Sequence, residues 1–108
     1  MRVELTHEEK QATLDAIDRF RTNDPKLLKL YEIEFVLTGA ISDLNDNDLI
    51  DFLNANSIEY AELRQNGVDT LVIVRMRLDA DRLIMIESYL KFFANNHALV
   101  YDGWGAFE

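Results

Sequence analysis

The chain of 108 residues contains no cysteine. A disulfide framework, a thiolate nucleophile and cysteine-held zinc are thereby excluded, and a reducing compartment is favoured. Basic side chains are scarce, with eleven Lys and Arg against twenty Asp and Glu and a formal net charge of −9. Such an excess repels phosphate backbones and anionic lipid, so neither nucleic acid nor membrane is an expected ligand; a basic protein segment is. No apolar run approaches the roughly 20 residues that cross a bilayer. The opening Met1-Arg2-Val3-Glu4-Leu5 lacks the apolar h-region of a signal peptide, and the expected location is cytoplasmic.

The usual carriers of chemistry are missing as well. The four glycines, Gly39, Gly67, Gly103 and Gly105, form no phosphate-cradling run. Ser42, Ser57 and Ser88 lack the flanking glycines of a nucleophile elbow. Asp43, Asn45, Asn47 and Asp51 follow the first, third, fifth and ninth positions of a calcium loop. Asp48 stands where that loop needs glycine, and Asn54 where it needs a bidentate Glu, so helix capping explains these residues better. His7 and His97 belong to no ligand-spaced motif. The reading is therefore no enzyme, no catalytic residue, no metal and no cofactor.

What is present reads as one α+β domain over residues 1–108, with 48% apolar residues to fill a core. Thr6 and Glu9 form a capping box that opens a helix within residues 1–24, with Leu14, Ile17 and Phe20 on one stripe. Pro25 limits that helix near Asn23. Residues 29–38 alternate as a strand, with Tyr31, Ile33, Phe35 and Leu37 facing one way, and Gly39 ends it. A polar loop over 42–56 feeds a short helix that offers Leu49, Ile50 and Leu53 for burial. Strands at 58–65 and 68–78 follow, joined at Asn66-Gly67 by a type I′ hairpin turn. Asp79 caps a helix with Leu83, Ile86, Leu90 and Phe93 on one stripe, and a last strand covers 97–101. Over 29–108 the order is βαββαβ, the ferredoxin-like arrangement of two helices on one face of a four-stranded antiparallel sheet.

That topology makes the first and third strands neighbours. Glu32 and Glu34 then share the helix-free face with Arg75 and Arg77, as a solvated charge ladder or a secondary binding face. Val36, Leu71 and Ile73 fall on the same face and leave it partly apolar, so the N-terminal helix or a second subunit is expected to cover it.

The segment Val100-Tyr101-Asp102-Gly103-Trp104-Gly105-Ala106-Phe107-Glu108 interleaves aromatics with glycines and acids. Asp102-Gly103 reads as a turn. Gly105 repeats that freedom or admits another backbone. Tyr101 and Trp104 either seal the end of the core or present an aromatic hot spot to a partner. Tyr101-Asp102-Gly103-Trp104-Gly105, followed by Phe107 and Glu108, resembles the C-terminal signature of the regulator of ribonuclease E activity B family. The first strand around Leu30-Tyr31-Glu32-Ile33-Glu34, the N-terminal helix and the acidic balance agree in outline. The resemblance implies a cytoplasmic bacterial protein that binds an endoribonuclease and restrains it through protein contact. It also implies that Tyr101, Asp102, Gly103, Trp104, Gly105 and Phe107 form the signature site. The alternative reading is a small interaction or immunity-type module of the same fold with another protein partner, homodimeric through the open sheet face.

Overall fold

A computed structural model describes residues 5–39, 47–55 and 61–108. Helix α1, His7–Phe20, begins at the capping box. The Glu9 amide donates to Thr6 Oγ1 at 3.1 Å, and the Thr6 amide donates to Glu9 Oε1 at 2.8 Å. The helix closes at Arg21, ahead of a turn held by buried Asp24. The Asp24 carboxylate accepts the Leu28 and Lys29 amides at 3.0 and 3.1 Å and the Tyr31 hydroxyl at 3.2 Å. Burial works to raise its pKa, but these donors outweigh burial and hold it below the usual value. Of the expected inward stripe of α1, Ile17 is buried and Phe20 packs against the core. Leu14 is exposed, and Thr13 is buried in its place, because the Thr13 hydroxyl meets a buried carboxylate.

Strand β1, Tyr31–Thr38, buries Tyr31, Ile33, Phe35 and Leu37 as its alternation requires. Helix α2, Asn47–Ala55, buries Leu49 and Leu53 and leaves Ile50 half-buried. The expected loop at 42–46 and the strand start at 58–60 lie outside the described residues, as do Asp43 and Asn45 of the calcium-like pattern. Strands β2, Ala61–Asn66, and β3, Asp69–Met76, pair so that Asn66 faces Asp69. The central turn residues are therefore Gly67 and Val68, with Asn66 still in the ladder. Gly67 has φ +64° and Val68 has no positive φ, which fits a type II′ turn and corrects the expected I′ turn.

Helix α3, Ala80–Asn96, is capped by Asp79, whose side chain accepts the Arg82 amide at 3.2 Å. Leu83, Ile86, Leu90 and Phe93 are buried as the stripe predicts. The helix ends with the Leu99 amide donating to the Ala94 carbonyl at 2.8 Å across Ala98, whose φ is +54°. The last strand, β4, spans Val100–Phe107 and not 97–101, so the aromatic segment lies within the sheet.

The sheet order is β2-β3-β1-β4 with every neighbouring pair antiparallel. The protein is an α+β fold of a four-stranded antiparallel sheet and three helices. The inward side chains of β1 join Val72, Val74 and Met76 of β3 in one core with Leu49, Leu53, Leu83, Ile86, Leu90, Phe93 and Ile17. All three helices thus lie on one face, with α1 beside α3, so of the two covers expected for the opposite face, the N-terminal helix or a second subunit, α1 is not one. On that opposite face Ile73 and Leu71 are nonetheless buried. Their neighbours in register are Glu34 and Glu62 beside Ile73, and Val36 and Arg64 beside Leu71. No described helix is long and apolar enough to cross a membrane.

Candidate functional site

Tyr101 and Trp104 are three residues apart, so a regular strand would turn them to opposite faces. The β1–β4 register prevents this. Phe35 faces Trp104 and Leu37 faces Tyr101, so one intervening residue on β1 opposes two on β4, Asp102 and Gly103. This is a β-bulge, and the positive φ of +98° at Gly103 supplies the conformation it needs. Asp102-Gly103 is therefore a kink inside a strand and not the turn expected between elements. As a result both aromatic rings lie on the helix-bearing face and pack against the core.

Beneath them lies Glu87, only 4% exposed. The Tyr101 hydroxyl donates to Glu87 Oε2 at 2.7 Å. Thr13 Oγ1 donates to Glu87 Oε1 and in turn accepts the Trp104 indole N–H at 3.3 Å. One chain of hydrogen bonds thus joins α1, α3 and β4. Burial pushes the Glu87 carboxyl above the usual glutamate range, against the pull of its two hydroxyl donors. Burial and the adjacent Glu87 carboxylate also raise the Tyr101 phenol, which stays protonated. At the rim, Lys91 Nζ donates to Glu9 Oε1 at 2.7 Å. That bond and the Thr6 amide hold the Glu9 carboxyl below its usual pKa.

An open cleft of about 330 Å³ runs between α1 and the bulge. Glu9, Ala12, Thr13 and Ala16 line one wall, Tyr101, Asp102, Gly103 and Trp104 the other, and Glu87 also lines it. Asp102 is exposed, and Trp104 is half-buried. Among the described residues no three His, Asp or Glu side chains are grouped as a metal site would require.

The remaining predicted residues lie elsewhere. Glu32 faces Arg75 across β1 and β3, but Glu34 faces Ile73, and Arg77 lies just past the end of β3. Register places Glu32, Glu34 and Arg75 on the helix-free face, yet none of Glu32, Glu34, Arg75 and Arg77 enters an ion pair within 4 Å among the described residues. Phe107 faces Glu32, is 52% exposed, and sets its ring 3.7 Å from where a Cβ on Gly105 would stand. A Cβ there would make only ordinary contact with the ring, and the φ of Gly105 is not positive, so neither space nor backbone conformation demands glycine at this position. The signature segment is split across the sheet, with Tyr101 and Trp104 on one face and Gly105 and Phe107 on the other.

Sequence reasoning missed Thr13 and Glu87, and read Glu9 only as half of the capping box. Glu87 carried a signal, because it lies on the same helical face as Leu83, Leu90 and Ala94, an acid inside an apolar stripe. No protein-family model matches this sequence, and a search of curated proteins finds no significant match.

Proposed function

We propose that this chain is a non-catalytic regulator that binds an endoribonuclease of the ribonuclease E type and modulates RNA turnover through protein contact. The observation that carries the reading is the bulged segment Tyr101-Asp102-Gly103-Trp104-Gly105, which combines the family-like motif with an exposed acid on an edge strand. Two of its side chains brace the fold from within, and this supports a preformed docking feature over a reactive centre. The net charge of −9 favours a basic segment as the bound element. The order β2-β3-β1-β4, with the β2–β3 hairpin and antiparallel neighbours, supports the ferredoxin-like arrangement for residues 29–108. A cytoplasmic location belongs to the same reading.

The test is capture of an endoribonuclease from bacterial lysate by the purified chain, repeated after ribonuclease treatment. Capture that survives loss of RNA supports direct binding; capture that disappears with the RNA, or fails altogether, refutes it. A second reading, a homodimer through the open sheet face, is favoured by the exposed Val100 and Phe107 on that face. A monomeric mass in solution at tens of micromolar would eliminate it.

A further inference from the structure

The cleft between α1 and the β4 bulge is a space that the fold keeps open. Its α1 wall carries Ala12 and Ala16, and its β4 wall carries Gly103, so small residues face each other where larger ones would fill the gap. Its charge is lopsided. Glu9, Glu87 and Asp102 line it, and the one cation paired to any of them among the described residues is Lys91, on Glu9. Glu87 accepts from Thr13 and Tyr101, and the Trp104 indole N–H also draws on it, while a carboxylate offers about four acceptor positions. The Asp102 side chain has no described partner. The Trp104 ring forms part of the same wall.

We infer that this cleft receives an arginine side chain of the protein partner, its guanidinium directed to the Asp102 and Glu87 carboxylates and its stem along the Trp104 ring. The inference rests on the proposed regulator function and deepens it. Guanidinium suits the site better than ammonium for two reasons. Its planar fork can donate to two carboxylates at once, and it is weakly hydrated and stacks on indole faces. An anionic ligand would meet only like charge here, and a metal ion would find no grouped ligands among the described residues.

The probe is the tripeptide amide acetyl-Gly-Arg-Gly, titrated into the full chain with Trp104 fluorescence as the readout. Trp104 is the sole tryptophan, so its emission reports on this wall alone. A saturable change is expected, absent with the citrulline counterpart, which keeps the shape and loses the charge. Asp102→Asn should weaken binding about tenfold, the scale of one charge-assisted hydrogen bond. Ala12→Leu, at an exposed position, should narrow the cleft and weaken binding with every carboxylate intact. Amide shift perturbations should fall on α1 and residues 101–104. Equal responses to arginine and citrulline, or perturbations confined to the helix-free face, would overturn the inference. Should wild type and both variants capture the nuclease equally, the cleft inference fails and the regulator reading stands. Should the tripeptide bind in the cleft while no nuclease is captured, the cleft stands and the nuclease reading fails.

Discussion

Replacing Trp104 tests the central structural claim, that the motif ties the N-terminal helix to the sheet. Trp104 packs against the core opposite Phe35 and donates its indole N–H to Thr13 on α1. Truncating a fully buried large aromatic costs about 3–5 kcal/mol, and a half-buried one proportionately less, so Trp104→Ala should cost about 2–3 kcal/mol. In a domain of this length that is a fall of about 10–20 °C in melting temperature. Trp104→Phe keeps most of the apolar contact and removes only the donor. Thr13 still donates to Glu87, so the loss should be near 1 kcal/mol. Urea unfolding followed by far-ultraviolet circular dichroism is the suitable assay, because fluorescence disappears with the only tryptophan. Thr13→Val breaks the same chain of hydrogen bonds from the α1 side. The double variant with Trp104→Phe should therefore show a coupling of about 0.5–1.5 kcal/mol. Strict additivity, or a Trp104→Ala protein with the wild-type urea midpoint, would refute the linkage.

Two further outcomes follow from single positions. Gly39→Ala and Gly103→Ala both force alanine into positive φ, costing about 1–2 kcal/mol. At Gly103 the new Cβ meets nothing within 4 Å, whereas at Gly39 it would stand 2.6 Å from Leu99 Cδ2; urea midpoints should therefore rank Gly39→Ala the more damaging. The pH dependence of Glu87 has a definite sign. Because burial raises its folded pKa, its contribution to stability is complete below the unfolded glutamate value of about 4.3 and is lost as pH rises through the folded pKa. Glu87→Gln has no such titration. Its destabilisation relative to wild type should accordingly be larger at acid pH than near neutrality, and a pH-independent difference in urea midpoint would contradict the assignment.

Local signals were legible wherever one residue type answers one local need. The Thr6–Glu9 box, the Asp79 cap and the alternation of β1 each predict their element, because capping and pleating act over a few residues. Errors arose where a distant partner decides. Thr13 displaces Leu14 from the inner face of α1 because of Glu87, far along the chain. Asp102-Gly103 has the composition of a turn, yet β1 offers a whole edge for pairing and a bulge absorbs the extra residue. The hairpin slipped by one residue because Asn66 suits either a turn or the end of a ladder, and the pairing with Asp69 chooses. The grouping of Thr13, Glu87, Tyr101 and Trp104 has no local signature beyond one acid in an apolar stripe, since three separate elements contribute to it.

The geometry of the motif also separates what folding requires from what it does not. Tyr101 donates to Glu87, Trp104 donates to Thr13, and Gly103 supplies the positive φ of the bulge. Each of these identities is accounted for by an internal contact or a backbone need. Asp102 is not: it is exposed, its side chain has no described partner, and the bulge depends on the glycine after it. With Tyr101, Gly103 and Trp104 committed to the fold, the Asp102 carboxylate is left for an external role. Asp102→Asn should therefore unfold at the wild-type urea midpoint and lose only binding, the reverse of what Trp104→Phe should do. Were Asp102→Asn to cost stability and spare binding, the role of this edge of the protein would be structural throughout, and the partner surface would have to be sought on the opposite sheet face.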